Sequence, residues 1–392
     1  MSLHGAGTSA GPGAVAARTV TVHGPASGPR VSEKESGEHH TAPLADLSWL
    51  RATAVALHRA SAPLAAAHAE LTGREAEAVV RTAGRWTRLP GARGPAAEHT
   101  RIEALVEIRR PGARLPVVLW QWSGADPLAA FAASGGRLVR ELRAVGRATP
   151  LTDTFVGPVV LAPETAVHFV HETLGHSLEA DNYRTYAAGC GLALGSTVTG
   201  PELTVLDGPA PGLETSRPSD DEGHPSRQTP LVEAGVVSGV LTDAREARRQ
   251  RLPRTGNGRR ASGAAQALPR MSALRVARGT TPPADMVRSV RSGLLCRGAW
   301  GGGSVEEFFA VRPACAEWIE DGEPTGRFVY GFDLKGRKTT ALGALRSVGD
   351  DMDVFNPVTG CGKDGQELPV SIRSPSFAFD RLCAVPIGGP RS

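Results

Sequence analysis

The pattern of apolar and polar positions divides the 392-residue chain into three parts. Residues 1–43 consist mainly of Gly, Ala, Ser, Pro, His and charged residues, and their apolar positions follow no period. Segments of this composition bury too little surface to offset the entropy that is lost on ordering. We therefore predict that residues 1–43 form a disordered tail.

The second part, residues 44–155, alternates helical and strand-like patterns. Apolar residues recur at helical spacing in LADLSWLRATAVALHRASAPLAAAHAEL, where Pro63 predicts a break or restart. Two strand-like runs follow, ALVEIRR and PVVLWQW, and then a helix is expected over about 127–145 with Asp126 as its N-cap. This alternation predicts a small N-terminal α/β domain.

The third part, residues 156–392, begins with the strand-like run GPVVLAP and an apolar helix that carries the sequence HETLGH. Beyond this motif helix the chain turns to short strand patterns between glycine-rich turns, as in ELTVLDG, EWIEDGEPTGRFVYGF and LPVSIRS. This spacing predicts a β-rich C-terminal domain, built as a sandwich or in a barrel-like form. The fold class expected for the whole chain is α+β.

Composition restricts the classes of partner. The formal charge of +4 is small for this length, and the basic run REARRQRLPRTGNGRR contains neither interleaved aromatic residues nor a nucleic-acid-binding module. A solvated face or a substrate-facing loop is therefore favoured over a nucleic-acid site. The five cysteines are widely spaced, and no apolar run resembles a signal peptide or a membrane span. We expect a cytoplasmic protein without disulfides that binds neither nucleic acid nor membrane.

Two histidines and a glutamate in the motif helix are candidates for metal chemistry. His171 and His176 could ligate Zn²⁺, and Glu172 could take a proton from water, as in HExxH metalloproteases. Here the histidines are five residues apart, which places them roughly 140° apart on a regular α-helix. A π-bulge would return both to one face, and Gly175 would ease it. Spacing alone leaves two ordinary helix histidines as an equal alternative, and His168 is a further candidate ligand.

Several segments together resemble one known family. HETLGHSLEADNY is similar to the HExxxH signature of the TldD/PmbA metallopeptidases, with Glu179 and Asp181 at the acidic positions of that pattern. The segments DDEGHPSRQTPLVEAGVVSGVLTDAREA, RTGNGRR, PRM and GCGKDGQELPV match further family landmarks in the same order. The resemblance covers roughly residues 155 to 390.

The resemblance implies a Zn²⁺ cofactor with Cys361 as the third ligand and Glu172 as the general base that acts on zinc-bound water. The residues alone are also compatible with a buried structural cysteine, although the neighbouring Lys363 would favour a thiolate. Two acidic residues, Glu179 and Asp181, could hold the histidine rings or could equally form caps and ion pairs. His224 is a weaker candidate for a fourth ligand or a substrate contact, since a lone loop histidine is usually neither.

The N-terminal domain is shorter than the resemblance leads one to expect, so the substrate stays open. The first hypothesis is a hydrolase of peptide or amide bonds that pairs with a homologous subunit lacking the motif, or with a second copy of itself. A second hypothesis is a biosynthetic tailoring hydrolase acting on a small amide or thio-conjugate. A third is a non-catalytic scaffold subunit, which would be expected to lack Glu172 or Cys361, yet both are present.

Overall fold

The N-terminal part of the protein is a five-stranded antiparallel sheet with two helices packed against it. The structure is a computed structural model that describes residues 14–24, 29–37, 45–89, 97–110, 117–262, 265–356 and 360–387. The sheet has the order β2-β1-β3-β4-β5. The elements are β1 (Ala14–His23), β2 (Arg30–Gly37), α1 (Leu47–Thr72), β3 (Glu77–Leu89), β4 (Ala97–Arg109), β5 (Val118–Ser123) and α2 (Pro127–Arg147).

Strands β1 and β2 lie within the segment expected to be a disordered tail, so that prediction is wrong for residues 14–24 and 29–37. Val20 and Val22 are fully buried because they alternate with polar residues and point toward the helices. Strand β2 is held as an edge strand by its backbone ladder to β1 and by an ion pair of 2.7 Å between Arg18 and Glu35. An edge strand needs few apolar residues. The remaining residues of the expected tail lie outside the described residues.

Helix α1 runs without interruption through Pro63, so the predicted break is wrong. Pro63 has no N–H, so the carbonyl of Arg59 lacks its helical hydrogen bond. Both residues are exposed, and water can bond that carbonyl instead. Leu57 and Leu64 on either side are buried in the core of the sheet, and this packing holds the helix together. At the start of α2 the expected N-cap is present, because the side chain of Asp126 accepts a hydrogen bond of 2.9 Å from the backbone N–H of Ala129.

The C-terminal part is rich in short strands, as expected. The elements in order are β6 (Thr149–Pro150), β7 (Phe155–Leu161), α3 (Pro163–Val170), a π-helical segment (His171–Gly175), α4 (Ala180–Asn182), a second π-helical segment (Tyr183–Ala187), a 3₁₀ turn (Ala188–Cys190), β8 (Val205–Asp207), β9 (Thr229–Glu233), β10 (Val236–Val237), α5 (Ala244–Gln250), β11 (Gly258–Arg259), β12 (Leu268–Pro269), β13 (Ala273–Val276), α6 (Pro283–Arg288), β14 (Ser292–Arg297), β15 (Gly301–Val305), β16 (Phe308–Arg312), β17 (Cys315–Glu320), β18 (Glu323–Tyr330), β19 (Phe332–Arg337), α7 (Lys338–Gly343), β20 (Leu345–Val348), β21 (Asp353–Phe355), β22 (Cys361–Lys363), β23 (Gln366–Leu368), β24 (Ser371–Ser374) and β25 (Phe377–Pro386).

Two large sheets enclose the motif helix. A six-stranded sheet has the order β10-β9-β8-β13-β24-β21, and the larger sheet runs β15-β16-β19-β25-β7-β14-β17-β18-β6 with β20 paired to β25. Helix α3 contacts strands of both sheets, and its buried Phe169 and Val170 share one core with Val205 and Phe379. The mixed α+β class and the β-rich character of the C-terminal region are confirmed.

The two parts of the chain meet along helix α2. This helix packs on β17 and β18 of the larger sheet, and β6 pairs with β18. The chain therefore enters the C-terminal sheet at Thr149, before the predicted domain boundary at 155/156. Among the described residues, no helix has the length and apolar character needed to cross a membrane.

Candidate metal centre

The motif helix changes from α-helical to π-helical hydrogen bonding between His171 and His176. The backbone N–H of His176 donates to the carbonyl of His171 at 3.0 Å, a bond between residues five apart. This wider turn brings both imidazoles to one face, with ring centroids 4.7 Å apart. The distortion expected from the histidine spacing is therefore present.

Gly175 is required in this segment by close packing. A Cβ at Gly175 would lie 2.0 Å from the sulfur of Met271 and 3.4 Å from a methyl group of Leu274. The buried Met271 thus occupies the space that any larger residue would need. From the sequence we expected Gly175 to ease the helix distortion. In the structure, the absence of a side chain at Gly175 leaves the space that Met271 fills.

Cys361, the first residue of β22, lies against both histidines. Its sulfur is 3.2 Å from Nε2 of His171 and 3.1 Å from Nε2 of His176. The three candidate ligand atoms lie within 4.8 Å of one another. Burial raises the pKa of the Cys361 thiol, but the two adjacent imidazoles outweigh it and bring the pKa to about 5. The thiol is therefore ionised at neutral pH.

These three donors suit a Zn²⁺ ion. Zinc binds imidazole nitrogen and thiolate sulfur, and catalytic sites use three protein ligands. Nδ1 of His171 is buried without a hydrogen-bond partner among the described residues, and Nε2 of the same ring is directed to the sulfur of Cys361, so this ring offers Nε2 where the other two donors meet. The residues present therefore fit the metal that the sequence led us to expect. We refer to His171, His176 and Cys361 as the metal cluster.

Glu179 holds one ring of the metal cluster from behind. Its carboxylate accepts hydrogen bonds from Nδ1 of His176 at 3.0 Å, from Nζ of Lys363 at 2.9 Å and from the backbone N–H of Met271 at 3.0 Å. Burial opposes ionisation of Glu179, but the charges of His176 and Lys363 keep its pKa well below the usual range. With Nδ1 donating to Glu179, the lone pair of Nε2 is left for a metal.

Asp181 acts on the metal cluster only indirectly. It accepts a hydrogen bond of 2.6 Å from Lys363 and does not bond either histidine. Lys363 is directed to Glu179, Asp181 and the carbonyl of Pro269, so its ammonium is not bonded to the thiol of Cys361. The low pKa of Cys361 comes from the two imidazoles, which corrects the role expected for Lys363.

Glu172 lines the cavity in front of the metal cluster. A Cβ at Gly302 in β15 would lie 2.8 Å from Cγ of Glu172, so only a glycine strand can approach this carboxylate so closely. Lys338 is buried nearby and donates to the hydroxyls of Ser177 at 3.0 Å and Tyr186 at 3.1 Å. Burial lowers the pKa of Lys338 to about 8, although the charge of Glu172 opposes this shift.

The two weaker candidates lie outside the metal cluster. His168 lines the same cavity, one helical turn before His171, and its ring packs edge-on against Phe355. Burial lowers the pKa of His168 to about 3, so this ring is neutral at physiological pH. His224 lies in a turn where Asp220 accepts a hydrogen bond of 2.8 Å from its backbone N–H, away from the lining of this cavity.

Two cavities with lining residues in common lie beside the metal cluster. The first, of about 470 Å³, is lined by the cluster, Glu172 and β15. The second, of about 880 Å³, lies between β5 and α2 of the N-terminal part and α3, β14 and β18 of the C-terminal part. Both share a wall made of Gln121, His168, Ala299 and Phe355. A ligand that spans them would contact both parts of the chain.

Sequence reasoning missed two buried cations beside the metal cluster. Arg270 is fully buried and donates to the carbonyl of Cys361 and, at 3.2 Å, to that of Gln366, which fixes the hairpin β22–β23. The only sequence signal for Arg270 was its position in the segment PRM, which resembles a family landmark. Lys338 lies in KGRKTT, where nothing in the local sequence indicates burial.

Comparison with known proteins agrees with this geometry. A family model described as PmbA/TldA metallopeptidase C-terminal domain matches residues 154–384. A metalloprotease TldD homolog of Haemophilus influenzae is 32% identical over 229 residues, which is 57% of this chain and 47% of that protein. A metalloprotease of Methanothermobacter thermautotrophicus is 30% identical over 244 residues, covering 62% of this chain and 52% of that protein.

A solved structure extends the likeness to the N-terminal part. TldE from Thermococcus kodakarensis superposes with a TM-score of 0.69 at 16% identity, covering 95% of this chain and 96% of that one. This likeness shows the fold, and it shows that an N-terminal part of this size also occurs in that protein. The matches to the curated relatives span about half of their length.

The motif helix between two sheets and the matched C-terminal domain define a class of metallopeptidases. Because the family model covers more than half of the chain, the chain belongs to the PmbA/TldD family.

Proposed function

We propose that this protein is a zinc-dependent hydrolase of peptide bonds in which His171, His176 and Cys361 hold the ion and Glu172 is the general base. One observation carries the proposal. A thiolate 190 positions along the chain from His171 lies within 3.2 Å of both histidines, next to a glutamate that faces a cavity. A purely structural site would not need an acidic group on its open side.

When bound, Zn²⁺ would supply Lewis acidity toward a carbonyl oxygen and toward water. The side chains of the chain would do the rest. Glu172 would accept a proton from the attacking water and return it to the leaving amine. Glu179 would keep the ring of His176 oriented through the bond to Nδ1. The glycines of β15 would leave room for a substrate backbone beside Glu172.

A peptide suits the site better than a small amide or thio-conjugate. The cavity at the metal cluster and a larger one have lining residues in common, and the two together extend from β15 to helix α2. A small substrate would leave the second cavity without an occupant. This proposal also disfavours a non-catalytic scaffold, for which Glu172 facing the cavity would have no purpose.

The test is the substitution Glu172→Gln. Glutamine keeps the size of the side chain, so zinc content should remain at about one ion per chain. It cannot accept the proton of water, and general-base contributions are about 10²- to 10⁴-fold, so kcat should fall by that factor. The measurements are hydrolysis of an unfolded peptide and metal analysis of the same preparation.

Glu233→Gln is the matched control, because Glu233 is an exposed glutamate in β9 outside the cavity. It should keep the activity of the unmodified protein. A zinc-loaded Glu172→Gln protein with unchanged kcat would refute the role of Glu172.

A further inference from the structure

The larger of the two cavities contains a buried carboxylate that the proposed chemistry does not use. Glu141 projects from helix α2, is 5% exposed, and lines this cavity. Its Oε2 atom has no hydrogen-bond partner among the described residues. Burying an ionised carboxylate without hydrogen bonds is costly, so a group that could pair with it would bind favourably.

Close packing across the domain interface holds Glu141 in this position. A Cβ at Gly298, which has a φ of +59°, would lie 2.6 Å from Oε1 of Glu141 and 2.8 Å from the Cβ of Ala314. Glycine at 298 therefore allows the carboxylate of the N-terminal part to reach the end of β14. The backbone N–H of Gly298 donates to Glu164 at 3.2 Å, which places a second carboxylate beside the same residue.

The charges around Glu141 leave a negative excess. Arg137, one turn earlier on α2, approaches only to 3.8 Å, which is too far for a hydrogen bond. Glu164 from helix α3 adds a negative charge that acts on Glu141. Among the described residues, Arg140 and Arg297 also line the cavity but form no ion pair with Glu141. The described lining of the cavity as a whole has five carboxylates, those of Glu141, Glu164, Glu323, Asp351 and Asp353, against four guanidinium groups, those of Arg137, Arg140, Arg288 and Arg297.

Resting on the proposed peptide hydrolysis, we propose that Glu141 binds a cationic nitrogen of the substrate, either the α-amino group or a lysine or arginine side chain. The cavity of about 880 Å³ is within the usual range for ligand sites, about 300–1,000 Å³. It shares His168 and Phe355 with the cavity at the metal cluster, so a peptide whose cation contacts Glu141 can extend toward Glu172. Glu141 is then a positioning residue that selects charged peptides.

The pKa of Glu141 supports this role. Burial raises it to about 7, while the charge of Arg137 opposes the shift and that of Glu164 adds to it. Cys315 of β17 also faces these carboxylates, but burial raises its pKa and keeps it neutral. A carboxyl group with this pKa is only partly ionised at neutral pH. A cation from the substrate would restore the ionised form.

The experiment measures peptide binding by calorimetry to the zinc-loaded, full-length Glu172→Gln protein, which should leave the peptides intact. Four peptides share one sequence and differ in two features: a free or acetylated N-terminus, and Lys or Gln at one inner position. The acetylated Gln peptide is the uncharged reference. A preference for the free N-terminus identifies the α-amino group, and a preference for the acetylated Lys peptide identifies a side chain.

We expect at least one charged peptide to bind about 10- to 100-fold more tightly than the reference, because a hydrogen bond to a charged group strengthens binding by about that factor. Adding Glu141→Gln should abolish this preference, since glutamine has the same size without the charge. Adding Glu70→Gln, a change at an exposed glutamate of α1, should preserve it.

If all four peptides bind equally to the Glu172→Gln protein, or if none binds, the proposal is overturned before Glu141 is changed. A preference that survives Glu141→Gln would overturn it as well. Hydrolysis by the unmodified protein is measured separately. Cleavage without a charge preference would refute the role of Glu141 alone, and a charge preference without cleavage would refute the proposed hydrolysis alone.

Discussion

The thiol of Cys361 differs from those of the buried Cys296 and Cys315 in its electrostatic surroundings. Burial raises the pKa of Cys296 and Cys315 far above the usual range, whereas two imidazoles bring that of Cys361 to about 5. The same residue type therefore serves as a core side chain in β14 and β17 and as an anionic donor in β22. This contrast identifies the candidate ligand independently of the family resemblance.

We expect Cys361→Ser to reduce the zinc content from about one ion per chain to near zero. A serine hydroxyl stays protonated at neutral pH and is a poor zinc ligand, and two histidines alone leave the ion under-coordinated. Metal analysis of the purified variant checks this. His168→Ala is the control and should retain the metal, since His168 lies outside the metal cluster. Unchanged zinc in Cys361→Ser would remove this residue from the site.

The burial of Glu141 leads us to predict that the free energy of unfolding depends on pH. Its folded-state pKa is raised from 4.5 to about 7 because burial disfavours the charged form. Below pH 4.5 the group is protonated in both states and costs nothing. Between pH 4.5 and 7 the unfolded chain ionises first, so stability falls as the pH rises, and above pH 7 the loss is complete.

Glu141→Gln removes this loss. The variant should be more stable than the unmodified protein by up to about 3 kcal/mol at pH 8 and by less than about 1 kcal/mol at pH 5. Urea unfolding at the two pH values measures the difference, with Glu70→Gln as a control that should show none. A stability difference that does not change with pH would contradict the raised pKa.

At the scale of elements, the π-helical segment depends on Gly175. We expect Gly175→Ala to destabilise the protein by about 1–3 kcal/mol, because the added methyl group overlaps the sulfur of Met271. In a Met271→Ala background the same glycine-to-alanine change should cost less, because the sulfur that the methyl group overlaps is absent. Denaturant unfolding of the single and double variants measures both effects.

The matched control is Gly189→Ala in the 3₁₀ turn, where a Cβ would meet no atom within 4 Å. It should change stability little. If Gly175→Ala and Gly189→Ala unfold at the same denaturant concentration, close packing is not the reason for glycine at 175.

Two elements show why local patterns mislead. Pro63 removes one backbone donor, which predicts a break, but the buried faces on either side of it stabilise α1 by more than the lost bond costs. Strands β1 and β2 have the composition of a tail, yet β3 offers β1 a complete hydrogen-bonding edge. In both cases contacts with distant residues outweigh the local signal.

At the scale of the whole molecule, the hairpin β15–β16 exposes an apolar surface. Val305 is 75% exposed and Phe308 is 50% exposed, and β15 is the terminal strand of the larger sheet. Sheet edges with exposed apolar residues are usually covered. We expect this hairpin to be buried by a homologous subunit that lacks the motif or by a second copy of the chain.

Size-exclusion chromatography with mass detection, alone and after co-expression with such a subunit, tests this expectation. Val305→Lys with Phe308→Lys should yield a monomer, whereas Leu128→Lys, a change at an exposed leucine elsewhere, should not. A fully active monomer of the unmodified protein would contradict it.

The sequence by itself determined the motif residues, the condition that His171 and His176 can meet one metal only on a wider helical turn, and the β-rich character that follows. These depend on spacing and on local periodicity, which are properties of neighbouring positions. Only the folded chain decided that Cys361 meets both histidines, that Met271 excludes a side chain at 175, and that Glu141 is buried with no described residue bonded to its Oε2 atom. Each of these depends on residues far apart in sequence, because distances and burial between such residues are set by how the sheets and helices pack.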